Sequence, residues 1–449
     1  MTQEILRWLE QVLFERFGQR FALRPVDAGF VRLSLHDTDG FIEIASDAAT
    51  FMRADSDLPF TTWDASADGW KPVLGSPLPA PGLARRPEAM VTQCQGGYRL
   101  HYDVLGLTYW MLSRQEEVGR TDLDHHDRFP ATASHAHRHG YLERPVVDEW
   151  LDILRQVIQQ QWPGLALRRN TFSVKVSHDV DVPSRYGFAS PIRLLRRMAG
   201  DILVRRDLRS MLQAPAVWYN TRTTLHRLDR VNTFDWIMDL SEHCGLVSAF
   251  YFICGRTHPI RDADYEPEHP AIRTLMQRIH CRGHEIGLHP SFNTYRTPAA
   301  IELEANRLRR ICKEENIEQE AWGGRMHYLR WEHPTTMVEW DKAGMTYDST
   351  LSYADRAGFR CGTCFEYPAF DPVAGRALRL RIRPLIAMEC SVTSPGYMGL
   401  GIGERALGKF LELKENCKAV GGCFTILWHN SSLTCPEERD LYQAVLLHA

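Results

Sequence analysis

From residue 173 onward, the chain alternates between short apolar segments with strand character and longer amphipathic segments with helical spacing. This alternation predicts a parallel sheet covered by helices, and the number of repeats favours a barrel. The strand-like segments are 173–177, 247–253, 285–288, 321–325, 345–347 and 423–428, and the helical segments between them include 234–244, 270–281 and 298–315.

The first of these strands ends in an unusual group of ionisable residues. In SVKVSHDVDVPSRYG (173–187), apolar and polar residues alternate until His178, Asp179 and Asp181 follow one another closely. Two carboxylates one residue apart repel each other unless a cation or a proton lies between them. A solvated turn is the alternative for an isolated motif of this kind, so the rest of the chain has to decide.

Other strand ends also carry ionisable side chains. In a parallel barrel the carboxyl ends of the strands meet on one face, where the chemistry of such barrels is found. A single histidine is more often a hydrogen-bonded structural residue, but convergence from five strand ends favours a site. Histidine and aspartate together suit a divalent ion such as zinc, with an open position for water. These further candidates are His284, His289, Arg325, His327, Asp348 and His429.

The chain of 449 residues is too long for one ordinary domain. A break at Pro163 and Gly164, just before the first strand of the alternating region, predicts a smaller α+β domain over 1–168 and the barrel over 169–449. Within the first domain, the sequence predicts helices at 102–114 and 146–159. The proline-rich stretch 60–90 is interpreted as an ordered loop.

Composition restricts the class of protein. A net charge of −3 argues against general nucleic-acid binding, and no apolar run approaches the length of a membrane span. The N-terminal 21 residues are typical of an amphipathic helix and lack the pattern of a signal peptide. Eleven scattered cysteines, an odd number, favour reduced thiols and a cytoplasmic location.

Four segments, in order, resemble the successive motifs of the polysaccharide deacetylase family (NodB-homology, carbohydrate esterase 4-like). They are VSHDVD, GHEIGLH, GGRMHYLRW and ILWH, and the resemblance covers roughly 170–435. It implies a deformed, incomplete (β/α) barrel and metal-dependent amide hydrolysis on acetylated sugars. By this resemblance Asp179 is the base, Asp181 and His289 are metal ligands, Arg325 holds the base, and His429 is the general acid.

One position departs from the family pattern. The residue four positions after His289, where a second metal-binding histidine is expected, is Asn293. His327 is the best substitute as third ligand, with Asn293 and His284 as alternatives. If none of these binds the ion, the barrel would serve as a glycan-binding module. The implied ion is zinc, with nickel, cobalt or manganese as alternatives.

The N-terminal region also carries a resemblance. The segments DVLGLTYWMLSRQEE, DRFPATAS and GYLERPVVDEWLDIL are similar to the accessory domain of a subgroup associated with surface-polysaccharide and O-antigen synthesis. The implied function is removal of an acyl group from an N-acylated sugar. The alternatives are a catalytically impaired glycan-binding or glycan-modifying protein and a hydrolase of another C–N bond.

Two further segments stay open. The arginine-rich stretch 192–209 is a basic amphipathic helix, either a solvated face paired with its own aspartates or a contact for an anionic membrane or a lipid-linked glycan. The histidine-rich stretch 125–139 is interpreted as a solvated or hydrogen-bonded segment, with metal binding as the alternative. The sequence identifies neither the sugar nor the oligomeric state.

Overall fold

The computed structural model describes residues 1–26, 29–36 and 38–447. The strands of its N-terminal region are β1 (Phe21–Val26), β2 (Phe30–Leu35), β3 (Phe41–Ala45), β4 (Phe60–Trp63), β5 (Leu78–Pro81), β6 (Val91–Cys94) and β7 (Gly97–Leu100). Five of them form a mixed sheet in the order β1-β2-β3-β7-β6, and β4 and β5 form a separate two-stranded sheet. This region is therefore α+β, with its sheet built mostly from neighbouring antiparallel strands.

The helices of the N-terminal region cover both predicted helical segments. They are α1 (Gln3–Phe17), α2 (Ala48–Phe51), α3 (Val104–Leu112), α4 (His135–Arg138) and α5 (Val146–Gln161). The interpretation of 60–90 as a loop is wrong where β4 and β5 form an antiparallel hairpin. Prolines are tolerated there because each strand has a partner on one side only, and Trp63 and Leu78 are buried against the core.

The C-terminal region contains a nine-stranded sheet. Its strands are β8 (Ser173–Val180), β9 (Ser248–Ile253), β10 (Glu285–His289), β11 (Gly323–Gly324), β12 (Tyr347–Asp348), β13 (Tyr367–Asp371), β14 (Arg376–Ile382), β15 (Ala387–Met388) and β16 (Cys423–Leu427). The order is β13-β14-β12-β11-β10-β9-β8-β16-β15, and every pairing is parallel except that of β13 with β14. The expected α/β architecture with a mostly parallel sheet is confirmed. Within the described residues no pairing joins the edge strands β13 and β15, so closure of the predicted barrel is not observed.

Helices follow most of these strands, as the alternation predicts. They are α6 (Pro191–Leu203), α7 (Leu208–Asn220), α8 (Phe234–His243), α9 (Pro270–Cys281), α10 (Ala300–Glu314), α11 (Thr335–Lys342), α12 (Glu389–Thr393), α13 (Glu404–Ala419) and α14 (Pro436–Leu447). The single basic helix predicted over 192–209 is wrong. Asp207 caps the backbone N–H of Ser210, which starts α7 as a separate helix after a turn. No helix within the described ranges is both long and apolar enough to cross a bilayer.

The hydrophobic core continues across the predicted domain boundary. One cluster of buried residues includes side chains from both regions. Trp8 in α1 donates its indole N–H to the carbonyl of Pro368 in β13 (2.9 Å). Glu117 and Arg360, both almost fully buried, form an ion pair of 2.6 Å between the two regions. The division at 168/169 stays a prediction, but the two parts pack as neighbours around shared apolar side chains.

Candidate active site

The chemistry-bearing residues lie where parallel strands end. Asp179 is the penultimate residue of β8, and Asp181 follows that strand directly. His289 is the last residue of β10, and His429 comes two residues after β16. Because these strands are parallel, their carboxyl ends meet at one edge of the sheet.

Three of these side chains offer ligand atoms to one point. Oδ1 of Asp181 lies 3.2 Å from Nε2 of His289 and 3.6 Å from Nε2 of His327. One ligand atom from each of the three residues lies within 4.8 Å of the other two. Both histidines are buried. The structure thus contains a His/Asp group that could hold a metal ion.

The partners of the two imidazoles fix which nitrogen faces the group. Nδ1 of His289 lies 2.6 Å from the backbone oxygen of Arg325, which only accepts, so this nitrogen carries the proton. Nδ1 of His327 lies 3.2 Å from Oδ1 of Asp262. Burial raises the pKa of Asp262, but its bond with His327 and those from the N–H groups of Phe292 and His258 lower the pKa overall, so this carboxylate also accepts. Both Nε2 atoms are left to bind a cation.

Two atoms of this group lack hydrogen-bond partners, which bears on whether an ion fits between them. Nε2 of His289 and Oδ1 of Asp181 are buried and have no hydrogen-bond partner in the part of the chain that is described. Two lone pairs 3.2 Å apart repel each other unless a proton or a cation lies between them. The pKa of His289 responds accordingly: burial lowers it, the carboxylates of Asp179 and Asp181 raise it, and the net shift is upward. The donor set fits a divalent ion.

Asp179 is held beside the group by a buried arginine. Nη1 of Arg325 donates to Oδ1 of Asp179 (2.9 Å), and its Nη2 donates to the hydroxyls of Ser177 (2.9 Å) and Ser349 (3.1 Å). Arg325 is fully buried, so this geometry is rigid. Oδ2 of Asp179 lies 3.7 Å from Nε2 of His289, facing the metal group without joining it. One oxygen of Asp179 therefore stays free to accept a proton.

His429 stands on the other side of Asp181. Its Nε2 lies 3.6 Å from Oδ2 of Asp181, and its Nδ1 lies 2.6 Å from Oε1 of Glu389. Burial lowers the pKa of His429, but the charge and hydrogen bond of Glu389 outweigh burial and raise the pKa to about 10. This upward shift favours the protonated imidazolium, which is the form able to donate a proton. Sequence analysis missed Glu389, although it directly follows the short apolar strand β15.

These groups open into a cavity of about 310 Å³. Arg128 lines the cavity from the N-terminal region and donates to the backbone oxygen of Tyr328 (2.9 Å). Tyr328, an aromatic residue that is 37% exposed, also lines the cavity. The complete lining is Arg128, Asp179, Asp181, Val182, Arg261, His289, His327, Tyr328, Leu329, Met388, Cys390, Tyr397 and His429.

Other sequence candidates lie elsewhere. The side chain of Asn293 bonds Arg330 and the backbone oxygen of Thr257, and the residue is exposed. His284 comes before β10, at the opposite end of that strand, and bonds the backbone N–H of Ser248. His178 donates from Nδ1 to the backbone oxygen of Trp428 (2.6 Å) on the other face of β8. None of the three belongs to the His/Asp group found among the described residues.

Histidines of the stretch 125–139 form hydrogen bonds, in agreement with the interpretation of this stretch as a solvated or hydrogen-bonded segment. His135 is buried, with Nδ1 2.6 Å from the hydroxyl of Tyr141 and Nε2 3.1 Å from the backbone oxygen of Leu58. His126 contacts Arg261 and packs its ring against Tyr328 at the rim of the cavity. The stretch 125–139 therefore connects the N-terminal region to the site.

Known proteins resemble parts of this chain. A family model described as a family of unknown function (DUF7033) matches residues 34–163, inside the predicted N-terminal domain. No curated protein matches the chain.

Three solved structures are similar at low identity. A protein from Mycobacterium smegmatis named as a polysaccharide deacetylase is 15% identical, with 62% of this chain and 83% of that chain covered and a TM-score of 0.40. A protein from Pseudomonas aeruginosa PAO1 with the same designation is 12% identical, with 64% and 86% covered and a TM-score of 0.37. Puue allantoinase is 11% identical, with 64% and 85% covered and a TM-score of 0.36.

Proposed function

We propose that this protein is a metal-dependent hydrolase that removes the acyl group from an N-acylated sugar, in the synthesis of a surface polysaccharide or O-antigen. The observation that carries the proposal is the convergence of Asp181, His289 and His327 on one point, with Asp179 beside His289 and His429 beside Asp181. The motif resemblance of the same residues supports the sugar amide as the substrate class.

The donor set favours zinc. Two imidazoles and one carboxylate form the protein part of many catalytic zinc sites, which keep a further position open. Nickel, cobalt and manganese accept the same ligands. A bound ion would supply Lewis acidity, which polarises an acyl carbonyl and makes a water molecule more acidic.

The protein's own groups would then move the protons. Asp179 would accept a proton from the attacking water, since its Oδ2 is free and Arg325 fixes its orientation. His429, kept protonated by Glu389, would donate a proton to the departing amine nitrogen. An amide nitrogen leaves poorly as an anion, so this donation is required for C–N cleavage. Base and acid lie at different members of the site: Asp179 beside His289, and His429 beside Asp181.

The cavity suits a small polar substrate. A volume of about 310 Å³ is at the small end of ligand-binding pockets and accommodates about one sugar ring. Tyr328 offers a flat apolar surface on which the ring face of a sugar can stack.

The alternative of a catalytically impaired glycan-binding protein was based on Asn293, which stands where a second metal-binding histidine is expected. The side chain of Asn293 bonds Arg330 and the backbone oxygen of Thr257, away from the metal group. Hydrolysis of another C–N bond uses the same groups and is separated by product analysis.

The test combines elemental analysis with product release. We expect about one equivalent of a divalent ion in the purified protein. We also expect acetate release from N-acetylated surface sugars or their nucleotide- and lipid-linked forms, abolished by chelation and restored by the ion. A metal-loaded protein that binds these sugars but releases no acetate would contradict the hydrolase function and favour the binding module. An ion bound by the histidines of 135–139 would contradict the proposed site.

A further inference from the structure

The hairpin formed by α6 and α7 concentrates exposed apolar side chains. Nine of the eighteen large apolar side chains that are exposed in the described residues lie between positions 192 and 219. Such a patch is unusual on a protein surface and marks a site of contact. The most exposed members, with exposed fractions of 58% to 80%, are Ile192, Leu195, Leu203, Val204, Leu208, Leu212 and Tyr219.

These side chains are not needed for packing within the hairpin. The inner face of α6 buries Leu194, which packs in a small core with Ala214 and Val217 of α7. Ile192 and Leu195 lie three residues apart on α6 and remain outside this core. The outer apolar surface of the hairpin is therefore available to a partner.

The charges around this surface are positive. Residues 191–220 contain six arginines and two aspartates, although the whole chain has a net charge of −3. Asp201 is paired with Arg185 and Arg205, and Asp207 is paired with Arg230. The remaining exposed arginines without an ion pair to any described residue are Arg196, Arg206 and Arg209. Arginines beside exposed leucines are typical of helices that lie in the headgroup region of an anionic bilayer.

We propose that the α6–α7 hairpin docks this protein on the surface of a bilayer that contains anionic lipids. Charge decides between this partner and a second copy of the chain. A two-fold contact through the hairpin would bring the arginine-rich surfaces of two copies together, whereas anionic headgroups neutralise these charges.

The hairpin also lies beside the candidate active site. A groove of about 430 Å³, lined in part by Arg193, Arg196 and Arg197 of α6, shares Asp181, Val182 and Arg261 with the active-site cavity. Docking would place this groove at the level of lipid headgroups. It follows that the hydrolysed sugar is carried by an anionic lipid. This consequence rests on the proposed function, whereas docking itself does not.

Co-sedimentation with vesicles tests the docking. We expect the full chain to bind vesicles of phosphatidylcholine with phosphatidylglycerol and to bind pure phosphatidylcholine much more weakly. The triple variant Leu195→Ser, Leu203→Ser, Leu212→Ser should lower the partition coefficient about ten-fold or more. The triple variant Arg196→Gln, Arg206→Gln, Arg209→Gln should lower it by about five-fold per arginine and remove most of its salt dependence.

The matched control is Leu303→Ser, because Leu303 is 70% exposed on α10, outside the hairpin. This variant should bind vesicles like the wild type. Equal thermal unfolding of all four proteins would exclude misfolding, since every changed side chain is exposed.

The proposal is overturned if the wild type does not bind anionic vesicles at low salt, or if the control loses as much binding as the hairpin variants. It is also overturned if sedimentation velocity finds that the wild type is a dimer that binds no vesicles, and that among the variants only the leucine variant is a monomer. Metal content and acetate release from soluble sugars are measured separately, so failure of docking is distinguishable from failure of the hydrolase function.

Discussion

A single valine separates Asp179 from Asp181, yet the two carboxylates have different neighbours. Asp179 receives a hydrogen bond from Arg325 and keeps one oxygen free. Asp181 is surrounded by imidazoles: burial raises its pKa, but His327, His289 and His429 together hold the pKa well below its usual range. The first environment suits a base and the second a metal ligand.

Replacing each aspartate by asparagine should separate these two roles. Asp179→Asn should keep the metal and lower kcat by about 100-fold or more, the usual effect of removing a general base. Asp181→Asn should lower metal affinity as well, because an amide oxygen is a weaker ligand than a carboxylate. Metal content and kcat of both variants provide the measurement. Wild-type metal content and activity in both would mean that the stretch is only a turn.

Glu389 should set the alkaline side of the pH profile. It contributes the largest upward shift of the His429 pKa, so Glu389→Gln should lower that pKa. A general acid must be protonated to act, so the rate falls as pH rises through its pKa. In the variant, the alkaline fall in kcat/KM should begin at lower pH while metal content stays unchanged. An alkaline limb at the same pH in both proteins would argue against His429 as the acid.

Asp262 should support the metal through His327. It accepts from the backbone N–H groups of Phe292 and His258 and faces Nδ1 of His327. Asp262→Asn should weaken metal binding by about 10- to 100-fold, as removal of such outer partners does. Asp264→Asn is the matched control, because Asp264 pairs with Arg193 and Arg197 instead. Titration with zinc measures both affinities, and equal affinities would exclude a role for Asp262.

At the scale of the element, β8 divides its side chains between two environments. Ser177 and Asp179 point towards Arg325, whereas His178 points to the other face. There the imidazole stacks on Phe250 at a centroid distance of 4.9 Å. Successive residues of a strand face opposite sides, so the histidine next to Asp179 is structural.

His178 should make the fold sensitive to acid. Burial is the main cause that lowers its pKa, to about 3, so it stays neutral in the folded state while the unfolded chain takes up a proton below about pH 6.5. Stability should therefore fall as pH decreases from about 6.5 towards 3, with a slope that this group steepens by up to about 1.4 kcal/mol per pH unit. His178→Asn keeps a donor for the oxygen of Trp428 but does not titrate. Urea unfolding at several pH values should show a shallower slope for the variant, and an unchanged slope would contradict this reasoning.

A second element depends on distant support. Tyr328 and Leu329, directly after His327, adopt positive φ angles of 62° and 54°, which cost energy for residues other than glycine. Arg128 bonds the backbone oxygen of Tyr328, and Arg330 bonds those of His126 and Phe292. The turn that presents His327 is therefore held partly by the N-terminal region.

At the scale of the whole molecule, the continuous core predicts that 169–449 does not fold alone. Removing 1–168 would expose the apolar surface that packs against α1, and it would remove Glu117, the ion-pair partner of Arg360. Burial of apolar surface is the main favourable contribution to folding, and the net stability of an ordinary domain is only about 5–15 kcal/mol. We expect the fragment to lack a cooperative thermal transition that the full chain shows. A fragment that unfolds cooperatively and binds zinc would show that the predicted boundary separates independent domains.

The sequence by itself determined the features that depend on local pattern and chain direction. Alternation of strands and helices indicated a mostly parallel sheet, and strand polarity then placed Asp179, Asp181 and His289 near Arg325 and His429 at one edge. Both inferences need only the two-residue period of a strand and the shared direction of parallel neighbours.

Only the tertiary structure decided which further side chains reach that edge. His327, rather than Asn293 or His284, approaches Asp181. A turn with two positive φ angles follows His327 directly, and contacts from distant segments hold that turn. Glu389 meets His429 across forty positions of sequence, and Glu117 meets Arg360 across 243. Local patterns do not encode such pairs, since they exist only when folding brings remote segments into contact.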